Sequence, residues 1–104
     1  MNTLIKLPEF IQAEMAALDT DLLSDLRSKQ DDINSVKLSV DDGKRGYMEI
    51  ITLAASVITP ILVEVVKAYL PRNKTTEIIE RTIIIKTENG DKEVTEVTVV
   101  VKDK

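Results

Sequence analysis

The pattern of apolar and polar positions divides the first third of the chain into short elements. Residues 3–7 are β-prone and end at Pro8, a residue that opens helices, which allows a short first strand. Asp19 or Thr20 can cap a second helix that begins at Asp21, so two short helices are favoured over one long helix. The apolar stripe of these helices recurs every three or four residues, at Ile11, Met15, Leu18, Leu22 and Leu26.

Residues 36–40 alternate strictly between apolar and polar side chains, which predicts a half-buried strand with Val36, Leu38 and Val40 on one face. The segment DDGKRG, residues 41–46, indicates a loop because of its glycines and charges.

From Tyr47 to Leu70 the pattern is helical and predicts one apolar helix, about 36 Å long at ~1.5 Å per residue. Its Pro60 predicts a kink, and Pro71 ends it.

The C-terminal residues 77–104 form two β-rich runs around Asn89-Gly90, which predicts a β-hairpin. For Ile83 and Ile85 to share a face with Val97 and Val99, the two strands must be joined by a three-residue loop with a bulge. The predicted fold is therefore α+β, a small two-layer sandwich in a single domain of residues 1–104. It has a helical N-terminal region at residues 1–35. One central strand, the long apolar helix packed on the sheet and the C-terminal hairpin follow in residues 36–104.

The apolar helix raises the question of what it is buried against. Its uninterrupted apolar run, residues 50–63, is shorter than the ~20 residues that cross a bilayer. Extending it would bury Glu64 and Lys67 at a cost of ~2.5 to 3.5 kcal/mol each. Packing on the chain's own sheet is the favoured interpretation, and a small membrane-active protein that inserts residues 50–70 is the alternative.

Some apolar positions remain without an internal partner in this scheme. They are Leu53, Val57 and Val63 on the second face of the long helix, and Ile84 and Val100 on the second face of the hairpin. Such a surplus in a small chain favours a protein partner or a homo-oligomer, with these five residues at the interface. The alternative is that the N-terminal helices cover part of this surface.

The amino-acid composition restricts the reactions and binding partners that the chain can have. The chain has no Cys and no His, which excludes thiol nucleophiles, Ser-His-Asp triads and common zinc sites. We expect no enzyme, no cofactor and no metal, and Asp41-Asp42 are interpreted as loop charges.

The net charge of −4 opposes nucleic-acid binding, and the acidic first half leaves an antitoxin-like inhibitor of a basic toxin as an alternative. The N-terminus lacks the pattern of a secretory signal, so we expect a cytoplasmic protein.

Residues 22–101 resemble the effector-associated constant component, a small domain of bacterial conflict systems. The resemblance rests on LLSDLR as the first helix, SVKLSV as a strand, GYME opening an apolar helix that ILVEVVKAYL closes, and the ENGDKEV hairpin. Pro60 and the Thr/Val-rich tail depart from that pattern. The resemblance implies a non-catalytic adaptor of a bacterial defence system that couples a protease-like, nucleotide-hydrolysing or TIR-type effector to a sensor.

Overall fold

The structure, a computed structural model, describes residues 2–39, 47–87 and 90–104. This part of the chain forms an α+β fold with three helices and one five-stranded sheet, in agreement with the predicted fold class. The elements in chain order are β1 (Thr3–Lys6), α1 (Glu9–Ala17), α2 (Leu22–Lys29), β2 (Ser35–Ser39), β3 (Tyr47–Ile51), α3 (Ala55–Lys67), β4 (Lys74–Thr87) and β5 (Gly90–Asp103).

The sheet is mixed and has the strand order β2-β3-β1-β5-β4. The short strand β1 lies at its centre, where it runs parallel to β5 and antiparallel to β3. The predicted single central strand is therefore wrong. The segment that the alternation identified became β2, which is an edge strand. The central position belongs to β1, which lies in the segment 3–7 that allowed a short first strand within the predicted helical N-terminal region.

The prediction of one long helix from Tyr47 to Leu70 is also wrong, because its first five residues form β3. Every residue of β3 pairs with β2, from Tyr47 opposite Ser39 to Ile51 opposite Ser35. Ile50 and Ile51 are both buried but point to opposite sides of the sheet, as neighbours in a strand do. A helix would have placed them on one face.

Helix α3 is the shorter element that remains, 13 residues long and about 20 Å at ~1.5 Å per residue. Its buried side chains recur with helical spacing and face the sheet: Ala55, Ile58, Leu62, Val65 and Val66. Pro60 lies inside the helix at an exposed position. Because proline lacks an N–H, the carbonyl of Ser56 has no helical donor, and exposure of Ser56 leaves that carbonyl accessible to water. In the described part of the chain, no helix has the length and apolar character needed to cross a membrane.

The predicted break between α1 and α2 is confirmed. Asp19 has a positive φ of 57°, and the N–H groups of Asp19 and Thr20 donate to the carbonyls of Ala16 and Met15 at 3.1 and 2.9 Å. This pair of bonds is the Schellman arrangement that ends a helix. The cap of α2 is Asp21 rather than Asp19 or Thr20. Its carboxylate accepts from the Ser24 N–H at 2.8 Å, which lowers the pKa of Asp21.

The C-terminal hairpin is confirmed, but its predicted register is wrong. Thr87 pairs with Gly90, so only residues 88 and 89 lie between the strands, and the pairing runs without interruption to Lys74 opposite Asp103. Ile83 consequently lies opposite Val94, not on the face of Val97 and Val99. The prediction placed Ile83 and Ile85 on the same face as Val97 and Val99. In the structure the partner of Ile83 is Val94, in the Thr/Glu-rich first half of β5.

The two faces of the sheet carry separate clusters of apolar side chains. On the first, here called the helix face, Ile51, Val97 and Val99 pack against residues of all three helices. On the second face, the buried side chains of Leu4, Ile50, Ile85 and Val94 form a cluster that includes no helical residue among those described. The fold is thus a sheet with its helices on one side.

Candidate protein interaction surface

Exposed apolar side chains show where the described part of the molecule offers apolar surface to a partner. Val57 and Ile84, both predicted as interface residues, are 46% and 58% exposed. Such side chains are common singly on protein surfaces, so their grouping matters more than their number. The large apolar side chains that are exposed are Phe10, Leu18, Val36, Val57, Ile79 and Ile84.

Val57 and Ile84 lie toward the same end of the helix face. Helix α3 runs antiparallel to β4, because its C-terminus leads directly into β4 while Thr59 near its start donates to the Glu80 carboxylate at 3.4 Å. Val57 is two residues before Thr59, about 3 Å along the axis and on the opposite side of α3, and Ile84 is about 13 Å beyond Glu80 along the strand. Val57 and Ile84 therefore lie toward the same end of the helix side of the sheet but project from different elements. We use the name helix-side patch for this end, with Val57, Thr59, Glu80 and Ile84.

The other three predicted interface residues do not join this patch. Leu53 precedes α3 and is half-buried against the helix-face core, and its carbonyl accepts from the buried Thr3 hydroxyl at 2.6 Å. Val63 is half-buried on α3. Val100 is half-buried and lies opposite Glu77 on the second face, so the sheet separates it from Ile84. The assumption that Ile84 and Val100 share a face followed from the wrong hairpin register.

Sequence reasoning missed Ile79, which is 47% exposed on the second face. It occupies the middle of β4, opposite Thr98 on β5. A signal for it was present, since Ile79 stands between the charged residues Glu77 and Arg81 in the alternation of a strand, and such neighbours indicate a solvent-facing row.

The second face also holds a buried carboxylate. Glu96 is 5% exposed and forms ion pairs with Lys6 on β1 and Arg81 on β4, at 3.1 and 2.8 Å. Burial of the carboxylate opposes ionisation, but the hydrogen bonds and positive charges of the two cations outweigh it and hold the pKa of Glu96 below its ordinary value. This group ties three adjacent strands together and is fully engaged within the chain.

A second buried polar contact connects α2 to the end of α3. The Tyr69 hydroxyl donates to the Asp25 carboxylate, which also accepts from the Thr20 hydroxyl at 2.9 Å. The hydrogen bond to Asp25, with smaller effects of burial and the nearby negative charges, raises the pKa of Tyr69 to about 12. Tyr69 therefore stays protonated and acts as a link between helices.

Several other carboxylates, which could in principle act as acid–base groups, lie at the surface. Glu77 pairs with Lys102, and Asp31 and Asp32 are exposed. In the described ranges, no group of three or more acidic side chains is arranged to hold a metal ion. The segment Asp41-Asp42, interpreted above as loop charges, lies outside the residues that the structure describes.

Comparisons with known proteins do not assign this chain to a family. No protein-family model, curated protein or solved structure matches it. The resemblance to the effector-associated constant component rests on the order of elements and the quoted segments, one of which has a different conformation here. GYME was expected to open a helix, and its residues Tyr47 to Glu49 lie in strand β3.

Proposed function

We propose that this protein is a non-catalytic interaction module that binds a protein effector of a bacterial defence system through the helix-side patch. The observation that carries the proposal is the exposure of two branched apolar side chains, Val57 on α3 and Ile84 on β4, on the helix side of the sheet. Removing a branched aliphatic side chain from water is favourable. The central contacts of protein interfaces bury such side chains in this way. The class of effector, protease-like, nucleotide-hydrolysing or TIR-type, follows from the resemblance alone.

The charges around the patch define the partner further. Glu80 lies within it, and Glu64 is exposed two turns along α3 from Val57, on the same side of the helix. Complementary potentials steer association and select partners. The partner surface that fits is therefore an apolar contact flanked by Lys or Arg side chains.

The chemical inventory of the chain supports binding rather than catalysis. The whole sequence has neither Cys nor His, the residues that most often act as nucleophile or general base near neutral pH. The buried carboxylate, Glu96, is held in its ionised form by two cations. A general acid or base needs a pKa near the working pH, which this environment does not provide.

The test is a detergent-free purification of the tagged chain from its source cells, with bound proteins identified by mass spectrometry and the complex sized by light scattering. We expect one stoichiometric protein partner. The variants Val57→Asp and Ile84→Asp should lose it, because each buries a carboxylate in the apolar contact. Leu18→Asp is the matched control, since Leu18 is 69% exposed on α1 and lies outside the patch. Equal recovery of the partner by all variants, or recovery of no partner, would overturn the proposal.

A further inference from the structure

Strand β4 forms one edge of the sheet over 14 residues. Its pairing with β5 has one register throughout, with no bulge, and the strand contains no proline. Proteins usually protect an edge of this length with proline, a bulge, charged side chains or a covering element, because its free backbone groups bind other strands. Of the devices that lie within the strand itself, β4 has only charged side chains. In the described part of the chain, no strand pairs with the other side of β4.

The backbone groups that β4 directs away from the sheet can be identified. Hydrogen-bonded and non-hydrogen-bonded residue pairs alternate along an antiparallel ladder. The Lys104 N–H donates to the Asn73 carbonyl at 3.0 Å, just beyond the end of the β4 and β5 pairing. Odd-numbered residues of β4 therefore direct their N–H and C=O groups to β5. The even-numbered residues, from Lys74 to Lys86, direct theirs outward.

We propose that two copies of this chain dimerise by antiparallel pairing of their β4 edges, centred on Ile79, to form one continuous ten-stranded sheet. A two-fold axis perpendicular to the sheet keeps the helices of both copies on the same side. Residues that face each other across the dimer then both have even numbers or both have odd numbers. Every outward N–H and C=O group in the overlap meets an outward group of the other copy.

Charge disfavours two neighbouring centres of this pairing and favours Ile79. Centring it on Glu80 or on Arg81 would place two like charges opposite each other, which destabilises a strand pair. Centring it on Ile79 places Glu77 of each copy opposite Arg81 of the other, on both sides of the axis. Arg81 uses its Nε for Glu96, so its two terminal amino groups are available for Glu77 of the second copy.

The same register accounts for the exposed apolar side chain of β4. Ile79, 47% exposed in the single chain, packs against Ile79 of the second copy at the axis. Thr76 of each copy lies opposite Thr82 of the other, which is also a favourable cross-strand pair. The dimer thus covers an apolar side chain that its cross-strand neighbour Thr98 leaves 47% exposed, and a second copy of this chain is the occupant that fits the edge.

This dimer deepens the proposed interaction role, on which it rests, by naming a second copy as one partner. Its centre, Ile79, lies outside the helix-side patch, and Glu80 and Ile84 lie in both, so variants at Ile79 and Ile84 are needed to separate the two proposals. Ile79→Lys places two ammonium groups at the axis and should abolish the dimer while the chain still captures its effector. Ile84→Asp should abolish effector capture while the dimer persists, because Ile84 lies at the far end of the paired segment.

Light scattering and cysteine cross-linking test the dimer. We expect purified wild type at high micromolar concentration to have twice the chain mass of 11.6 kDa, and Ile79→Lys to have the chain mass with an unchanged circular dichroism spectrum. The chain has no cysteine, so Ile79→Cys introduces a single thiol. Opposed residues of a non-hydrogen-bonded pair have Cα atoms about 4.5 Å apart, which is within the range for a disulfide. Ile79→Cys should therefore form a disulfide-linked dimer under mild oxidation.

Ile84→Cys is the matched control, because its equally exposed thiols would lie about 30 Å apart in the proposed register. It should give little cross-linked product. A monomeric wild type, a dimer that Ile79→Lys leaves intact, or equal cross-linking of the two cysteine variants would each overturn the proposal. Because cross-linking is measured on a variant with a small side chain, the result stands even where Ile79→Lys fails to fold.

Discussion

Asp19 is the one non-glycine residue in the described ranges that adopts a positive φ, and it does so to end α1. A left-handed conformation destabilises an L-residue by about 1 to 2 kcal/mol, and Asp retains part of this penalty. We predict that Asp19→Gly stabilises the protein by about 0.5 to 1 kcal/mol, measured by urea denaturation.

Asp19→Ala is the control, since it removes the same carboxylate but keeps a Cβ. It should destabilise the protein, so that the two variants differ by about 1 kcal/mol or more. If glycine and alanine gave the same stability, the left-handed cap would not be a feature of the molecule in solution.

Glu96 makes the stability depend on pH in the acidic range. Its pKa is lower in the folded chain than its ordinary value of 4.5, so the unfolded state takes up a proton first as pH falls. The free energy contributed by Glu96 is therefore complete above pH 4.5 and is lost as pH falls through its folded-state pKa. We predict that Glu96→Gln is less stable than wild type at neutral pH and that the difference shrinks in acid. Chemical denaturation at several pH values measures this, and a difference that stayed constant with pH would contradict it.

At the scale of elements, α3 has one buried side and one exposed side. Leu62 is fully buried in the helix-face core, whereas Val57 is exposed. We predict that Leu62→Ala costs about 2 to 5 kcal/mol of unfolding free energy, because it leaves a cavity. Val57→Ala should change stability by less than about 0.5 kcal/mol. Similar losses for both variants would mean that Val57 belongs to the core and is not available to a partner.

The segment from Tyr47 to Leu70 shows how far the sequence pattern could lead. Its helical half was predictable, since buried residues from Ala55 to Val66 keep a 3.6-residue period. Strand β3 was not, because Ile50 and Ile51 are both apolar and fit the continuing helical face equally well. A strand covered on both sides loses the alternation that identifies strands, so only the pairing with β2 and β1 distinguishes the two structures.

The hairpin shows why the candidate site could be predicted from the sequence only in part. Its existence followed from local turn residues, but its register depends on which apolar side chains meet across the sheet. A shift in that pairing moved Val100 to the face opposite Ile84. Val57 and Ile84 were predictable as surplus apolar positions. Ile79 was not recognised, although its alternation with Glu77 and Arg81 indicates a solvent-facing row.

At the scale of the whole molecule, the interaction surfaces follow from the sheet order. With β1 at the centre and all three helices on one face, β4 remains at an edge and the helix-side patch lies beside the start of α3. Two surfaces carry the proposals made above, the helix-side patch for an effector and the β4 edge for a second copy. The patch combines residues of α3 and β4 that are distant in sequence, whereas the edge is one continuous segment.

The central claim is that this fold acts by binding a protein through the helix-side patch. The most direct measurement is the affinity of the captured partner for purified wild type, Val57→Asp and Leu18→Asp, determined by isothermal titration calorimetry. We predict that Val57→Asp binds at least about 30-fold more weakly, as expected for loss of ~2 kcal/mol at a central contact, while Leu18→Asp binds like wild type. Equal affinities for all three proteins would contradict the claim.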